Sequence, residues 1–320
     1  FHGGGRTGRL RLMIRRLHTP KAGRLFLAAM LLGGLSTSGP VVAQDLEPRS
    51  YVNLPVGLNF VGAAIFRSDG DLSPTPSSPL QEAELTIDVG ALAYARTFAI
   101  AGNSSKFNVS AGRTCYEGSA IFQDEFVEDR RCEYTDPRLK LSWNFYGAPA
   151  MGLEEFSKAT PGLVVGASLA ATIPIGDYDS DQLINAGSNR WMIRPGIGTS
   201  WRAGRWQFEF QLAVSLFEDN DDFFGGIKVE QDPLYQFNTH IIYHLRKGRW
   251  ISLDANYFSG GETTKDGQDA NDRQDNSRLG LTFSSPLTRQ LSFKLYASTG
   301  VVTRVGNSFD TFGMGLLYLF

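Results

Sequence analysis

Residues 310–320 alternate with the period of a β-strand. One face would carry only large apolar side chains, whereas the other begins with Thr311, Gly313 and Gly315. Such a row is typical of a transmembrane strand that faces lipid, and the assembly machinery of outer-membrane barrels reads a terminal pattern of this kind, so we expect it to contact Phe320. An edge strand of a soluble β-sandwich would alternate in the same way, so the remaining chain must distinguish the two. The apolar row consists of Phe312, Met314, Leu316, Tyr318 and Phe320.

The amino-terminal region has the order of a secretory signal. Residues 1–43 contain seven Lys or Arg and no acidic residue, followed by an apolar run at 25–35 and small residues up to Ala43. We therefore predict a leader over residues 1–43, in which residues 1–12 precede Met13 and are either untranslated or an extension. Residues 44–53 are predicted to form a periplasmic segment, and residues 54–320 the folded domain.

Charge and hydropathy narrow the class of protein. Without the leader, 24 basic groups (31 − 7) face 33 acidic ones, so the net charge is about −9. This balance argues against nucleic acid as a partner, because phosphates require a basic face. No later segment approaches the roughly 20 apolar residues of a spanning helix, which leaves a β-barrel as the membrane-spanning option.

Period-two segments cover most of the chain beyond residue 50 and predict a closed antiparallel transmembrane β-barrel of twelve strands, with ten or fourteen as alternatives. The connections between them alternate between long and short, as in barrels whose two rims face different compartments. Trp206, Phe208 and Phe210 are predicted to face lipid, and aromatic residues such as Trp143 and Trp250 lie near segment ends, where interfacial girdles form. A soluble sandwich would instead point its apolar rows into a core. The segments are 54–66, 82–98, 105–113, 138–146, 162–174, 190–202, 205–217, 234–245, 250–259, 277–284, 291–303 and 310–320.

Charged and polar residues on the opposite face of these segments are the candidates for lining a lumen. Both signs of charge occur, so we expect cross-strand pairs to fill much of a narrow, polar passage. The candidates are Glu82, Glu84, Asp88, Arg96, Arg194, Arg202, Glu209, His240, His244, Asp254, Arg278 and Lys294.

Two further groups, a pair of histidines and a group of aspartates, can be interpreted either as functional or as structural. His240 and His244 are about 13 Å apart along a strand, too far for one metal ion, and an embedded hydrolase would need a serine, such as Ser252, beside one of them. Asp177, Asp179 and Asp181 resemble the start of a calcium loop, but the glycine and the glutamate of that motif are missing. They are therefore a weak candidate for a metal site, and a solvated acidic loop is the alternative interpretation.

The only two cysteines, Cys115 and Cys132, lie in one long connection. In the oxidising periplasm they are expected to form a disulfide that stabilises the loop by about 3 kcal/mol.

Residues 171–198 (ATIPIGDYDSDQLINAGSNRWMIRPGIG) resemble the signature of a proteobacterial family, the MetA-pathway phenol degradation proteins, also labelled "transporter". Further similar stretches are residues 231–235, 248–267, 276–287 and 298–311. The resemblance implies an outer-membrane barrel linked to uptake of aromatic or other hydrophobic compounds, and it brings no catalytic residues. It places Asn189, Arg190 and Trp191 where the third long loop re-enters the barrel, and Gly260, Gly261 and Gly267 in the fifth loop.

The combined prediction is a passive, porin-like and loop-gated channel of the bacterial outer membrane for small hydrophobic or aromatic solutes. It is surrounded by lipid and lipopolysaccharide, needs no cofactor and is not an enzyme. A closed structural or partner-binding barrel is the alternative, and the embedded hydrolase is a third.

Overall fold

A computed structural model of the chain describes residues 47–73, 80–122, 125–182 and 184–320. The predicted leader at 1–43, together with residues 44–46, lies outside the described residues. One short helix, α1, spans Leu153–Lys158; among the described residues no helix is both long and apolar enough to cross a membrane. The strands are β1 (Asn59–Ser73), β2 (Leu80–Ile100), β3 (Asn103–Phe122), β4 (Glu125–Tyr134), β5 (Arg138–Tyr146), β6 (Leu163–Thr172), β7 (Met192–Ala203), β8 (Trp206–Phe217), β9 (Asn220–Phe223), β10 (Ile227–Gln231), β11 (Leu234–His244), β12 (Trp250–Gly260), β13 (Thr263–Lys265), β14 (Gln268–Asp269), β15 (Gln274–Pro286), β16 (Leu291–Val302) and β17 (Gly306–Leu319).

Twelve of these strands form one closed antiparallel sheet. Each pairs with its neighbour in the order β1-β2-β3-β5-β6-β7-β8-β11-β12-β15-β16-β17, and β17 pairs back onto β1 with Phe60 opposite Leu319. Closure removes the sheet edge, so every strand of the barrel has hydrogen-bonding neighbours on both sides, as a strand in lipid requires. The predicted twelve-stranded closed barrel is confirmed.

The outward face of the barrel is apolar. Along β8, Gln207 and Glu209 are buried, while Trp206 and Phe210 are 48% and 45% exposed on the opposite face. The row on β17 that ends the chain also points outward, and Phe312 is 53% exposed. A β-sandwich would bury these rows, so the pattern excludes that alternative. The predicted girdle position of Trp250 is wrong, because its side chain is only 4% exposed on the inward face of β12.

The two rims of the barrel differ in the length of their connections. We call the end with the turns 101–102, 204–205, 245–249 and 287–290 the short-turn rim, and the opposite end the long-loop rim. At the long-loop rim, β3 continues beyond the barrel and pairs with β4, which lies in a connection that the sequence predicted as a loop. Cys115 and Cys132 are directly opposed in this hairpin and form the predicted disulfide. Strands β9, β10, β13 and β14 form a small second sheet from two other long connections.

The facing of β2 is the main error of the sequence prediction. Glu84, Asp88 and Arg96 were expected in the lumen, but they occupy the face opposite the buried residues Leu85 and Ile87. Asp88 pairs on the outer surface with Arg67, whose Nη1 lies 3.4 Å from Asp88 Oδ2. Glu84 and Asp88 lie on the part of β2 nearer the long-loop rim, and Arg96 lies near the short-turn rim. Charge near either end of a strand therefore does not identify the inward face.

Candidate functional site

The interior of the barrel is the candidate functional site. Residues 47–57, which we call the lumen segment, precede β1 and pack against inward-facing side chains near the short-turn rim. The Ser104 hydroxyl donates to Leu54 O (3.0 Å), Asn144 Nδ2 donates to Val52 O (3.2 Å), and the backbone N–H of Arg49 donates to Glu209 Oε2 (2.6 Å). From Glu47 onward, the segment that was predicted as periplasmic therefore contacts the wall of the lumen.

Tyr51 anchors the lumen segment. Its side chain is 1% exposed, and its hydroxyl lies 2.9 Å from Ser168 Oγ on β6. The ring fits because glycines stand opposite it: a Cβ on Gly198 would lie 2.2 Å from Tyr51 Cε2, and one on Gly166 would lie 2.7 Å from Tyr51 Cδ1. The wall thus forms a close-fitting seat for this one aromatic ring, which narrows the passage at this level.

Two buried clusters hold the acidic side chains of the lumen. His240 Nδ1 lies 2.7 Å from Asp254 Oδ1, and the Thr282 hydroxyl donates to Asp254 Oδ2 at 2.7 Å. Glu209 Oε1 accepts hydrogen bonds from Ser200 Oγ (3.0 Å) and Gln207 Nε2 (2.6 Å). Both carboxylates are almost fully buried, at 0% and 3% exposure, so they are compensated by their neighbours and do not face open space.

These clusters do not have the geometry of a hydrolase. His240 is bonded to Asp254, and His244 Nε2 lies 2.7 Å from Gln207 Oε1. In the described part of the chain, neither histidine has a serine as hydrogen-bond partner, and Ser252 Oγ is buried without any. The arrangement therefore lacks the activated nucleophile that this chemistry needs.

A cavity of about 710 Å³ lies within the barrel, on the side of the lumen formed by β1, β2 and β17. Its apolar wall includes the aromatic side chains of Phe60 and Phe66, and Phe66 contacts Tyr296 edge-on. The inward positions of β2 on this wall are small, with Ala91 and Ala93 in place of large residues. This wall offers an apolar surface about as wide as three strands, on which a hydrophobic solute could lie.

The charged side chains of the cavity lining are mostly cations, and neutral polar residues such as Asn108 and Gln236 lie among them. Among the described lining residues, six are positively charged and one, Glu47, is negatively charged. Strand register places Arg190, Arg194 and Arg278 towards the long-loop rim, and the other three cations towards the short-turn rim. Near the short-turn rim, Arg49 and Lys294 both lie over the ring of Trp250, at 5.8 and 6.0 Å from its centroid. The six are Arg49, Lys106, Arg190, Arg194, Arg278 and Lys294.

Arg190 is the most constrained of these cations. It is 8% exposed, stacks 4.9 Å above the ring of Phe217 and donates through Nη2 to Gln231 Oε1, while its Nη1 is buried without a partner among the described residues. Burial lowers the pKa of Arg190 to about 10, partly offset by Tyr178 and Asp219. The guanidinium therefore remains charged at neutral pH in a poorly solvated position.

Most of the predicted lumen residues lie on the inward face, although their part in transport stays a prediction. Glu82 falls among the residues whose side chains are not described. The inward-facing ones are Arg194, Arg202, Glu209, His240, His244, Asp254, Arg278 and Lys294.

The residues placed in loops by family resemblance have structural roles, with one exception. Asn189, Gly260, Gly261 and Gly267 adopt positive φ angles, and Trp191 exchanges hydrogen bonds with Glu218 at the start of β7. Arg190, the exception, lines the cavity.

The acidic loop is built by its own hydrogen bonds. Asp177 Oδ2 accepts from the backbone N–H of Tyr134 (2.7 Å), and Asp179 Oδ1 accepts from that of Asp181 (2.9 Å). Across the described ranges, no group of three His, Cys, Asp or Glu is placed to hold a metal ion. The loop therefore uses its carboxylates to fix turns.

Sequence reasoning missed Tyr51 and Arg49. The available signal for Tyr51 was the glycines at inward positions of β6 and β7, Gly166 and Gly198, which leave space for a bulky group from elsewhere in the chain.

Comparison with known proteins agrees with this architecture. A family model described as "Putative MetA-pathway of phenol degradation" matches residues 71–317. An outer membrane channel from Pseudomonas putida F1 superposes with a TM-score of 0.71 at 20% sequence identity, covering 86% of this chain and 99% of that chain. No curated protein matches the chain in sequence.

Two autotransporter barrels superpose less well. The transport unit of AIDA-I from Escherichia coli has a TM-score of 0.49 at 12% identity and covers 86% of this chain and 92% of its own. The β domain of the Bordetella autotransporter Brka has a TM-score of 0.49 at 13% identity and covers 82% of this chain and 99% of its own.

Proposed function

Because this chain belongs to the family of the MetA pathway of phenol degradation, we propose that it is an outer-membrane channel for the passive entry of small hydrophobic or aromatic solutes. The observation that carries the proposal is the cavity of about 710 Å³ inside a closed barrel with a lipid-compatible exterior. The apolar wall of this cavity suits a hydrophobic solute, and the similarity in fold to a Pseudomonas putida outer membrane channel supports the assignment. We assign no catalytic role to the lumen.

We propose that two parts of the chain regulate passage. The lumen segment packs inside the barrel near the short-turn rim, and residues 184–190 of the loop between β6 and β7 pack against inward side chains and line the cavity at the other end. In that loop Ala186 is 1% exposed and packs in a cluster with Ile87 and Phe309, while its backbone N–H donates to Glu133 Oε2 (2.8 Å). We propose that displacement of these two parts controls the flux of solute.

The proposal is tested with purified protein in planar bilayers and liposomes. The wild type is expected to give small single-channel currents and slow solute entry. A variant in which Gly-Ser-Gly replaces residues 178–186 is expected to conduct more, because the covering loop is shortened. Absence of current and of solute entry in both proteins would contradict a channel.

A partner-binding barrel is the second candidate, and the occupied lumen favours it. The two functions separate in a variant that lacks residues 47–57. A channel should gain conductance when the lumen segment is removed, whereas a barrel that only presents its loops to a partner should remain closed or lose its fold.

A further inference from the structure

We infer that the cavity selects organic anions: solutes that combine a carboxylate or similar group with an apolar body. This inference rests on the proposed function and narrows its substrate class. The observation behind it is the presence, in one cavity, of an apolar wall on β1, β2 and β17 and of cations from other strands, the loop before β7 and the lumen segment.

The charge of the lining is unlike that of the whole chain. The chain has a formal net charge of −2, yet the described cavity residues comprise six cations and one carboxylate, that of Glu47. The two other lumen carboxylates described above, Glu209 and Asp254, are buried and hydrogen-bonded to their neighbours. The positive charge therefore faces the cavity while these negative charges are withdrawn from it, which attracts anions into a low-dielectric passage.

Arg190 and Arg278 are the groups best placed to bind an anion. The three hydrogen bonds of Arg278 Nη2 all go to neutral acceptors: Phe309 O (2.7 Å), Ser298 Oγ (3.2 Å) and Thr311 Oγ1 (3.3 Å). Arg190 likewise donates to a neutral amide, that of Gln231, and keeps a buried Nη1 without a partner in the described residues. Asp219 and Asp310 offset only part of the burial of these two cations, and neither carboxylate is hydrogen-bonded to them. A bound carboxylate would supply a closer negative charge and the missing acceptor of Arg190.

The apolar wall sets the second requirement. Phe60, Phe66 and the small residues of β2 offer no partner to a polar body, so a compact hydrophilic anion would gain only the electrostatic part of the interaction. The cations near the short-turn rim, Lys294 and Arg49 above Trp250, provide a second position for the same charge farther along the passage. An aromatic carboxylate meets both requirements, because its ring can lie on the wall while its charge moves from one group of cations to the next.

The test compares three probes of matched chemistry. Benzoate has the ring and the charge, benzamide has the ring without the charge, and acetate has the charge without the ring. Binding to the purified protein is measured by titration calorimetry with a detergent-only blank. We expect benzoate to bind at least about tenfold more tightly than either other probe, because a hydrogen bond to a charged group contributes that much.

Variants assign the effect to particular residues. Arg190→Gln and Arg278→Gln are each expected to reduce benzoate binding about tenfold, to the level of benzamide. The control is Arg289→Gln, at an exposed turn of the short-turn rim, which should bind benzoate like the wild type. Arg190→Lys retains the charge and should retain the anion preference. The reversal potential in a KCl gradient gives an independent measurement, in which both glutamine variants should lose anion selectivity. Heat-modifiable migration on gels verifies that each variant is folded.

The outcomes separate this inference from the channel proposal. Equal binding of benzamide and benzoate, unchanged binding in both glutamine variants, or no benzoate binding would overturn the inference. A protein that conducts with a preference for cations would also overturn it and leave the channel standing. Benzoate binding that depends on Arg190, in a protein that never conducts, would support the anion site and contradict the channel.

Discussion

The fit between Tyr51 and its glycine seat predicts how the lumen segment is held. Tyr51→Ala removes a ring that is 1% exposed in its seat on β6 and β7. Truncation of a fully buried aromatic side chain costs about 3–5 kcal/mol, so the ratio of unseated to seated segment should rise by roughly two to four orders of magnitude. Tyr51→Phe keeps the ring and removes the hydrogen bond to Ser168, worth about 1 kcal/mol, and should raise that ratio about fivefold.

Single-channel recording measures this equilibrium as the fraction of time spent in a larger-conductance state. Tyr51→Ala should occupy that state most of the time, Tyr51→Phe slightly more often than the wild type. The matched control is Tyr146→Ala, which removes a tyrosine that is 59% exposed at the end of β5 and should leave the currents unchanged.

Gly198→Ala should also displace the lumen segment, because it changes the wall that contacts Tyr51. Its added Cβ would lie 2.2 Å from Tyr51 Cε2, so the ring must leave its seat. Because both substitutions remove one contact, Gly198→Ala should have little further effect when Tyr51 is already alanine. Wild-type currents in Tyr51→Ala, or additive effects in the double variant, would refute this account of how the segment is held.

Three other predictions concern separate parts of the molecule. Cys115→Ser should expose the β3–β4 hairpin to added protease, because loss of the crosslink costs about 3 kcal/mol, while the melting temperature of the barrel stays the same; a lower barrel melting temperature would contradict this. Asp254→Ala removes the hydrogen-bond partner of the buried His240 and should lower the free energy of unfolding by about 1–3 kcal/mol in urea titrations, whereas Asp221→Ala, at an exposed position, should lower it little. Anion selectivity should be constant over about pH 6–9 and weaken above about pH 10. Burial lowers the pKa of Arg190 only to about 10, and a guanidinium is charged below its pKa. A selectivity that titrates near neutral pH would exclude Arg190 as its source.

Part of the candidate site was predictable because it depends on strand periodicity. Glu209, His240 and Asp254 alternate with apolar neighbours within the bilayer, where only one face of a strand can carry charge. The same reasoning failed for Asp88, which lies on β2 towards the long-loop rim and pairs with Arg67 on the outer face. Periodicity defines two faces of a strand, but it assigns one of them to the lumen only where the surrounding medium forbids charge on the other.

The sequence by itself determined a closed barrel of about twelve strands, its apolar exterior and the pairing of its two cysteines, because each depends on strand alternation, connection length or composition. Only the tertiary structure decided what the lumen contains. Tyr51 reaches its seat on β6 and β7 across more than a hundred residues of chain, as the separation of 117 between Tyr51 and Ser168 indicates. The facing of Arg190 and Arg278 towards one cavity likewise arises from closure of the sheet, which brings distant strands together in a way that no local pattern records.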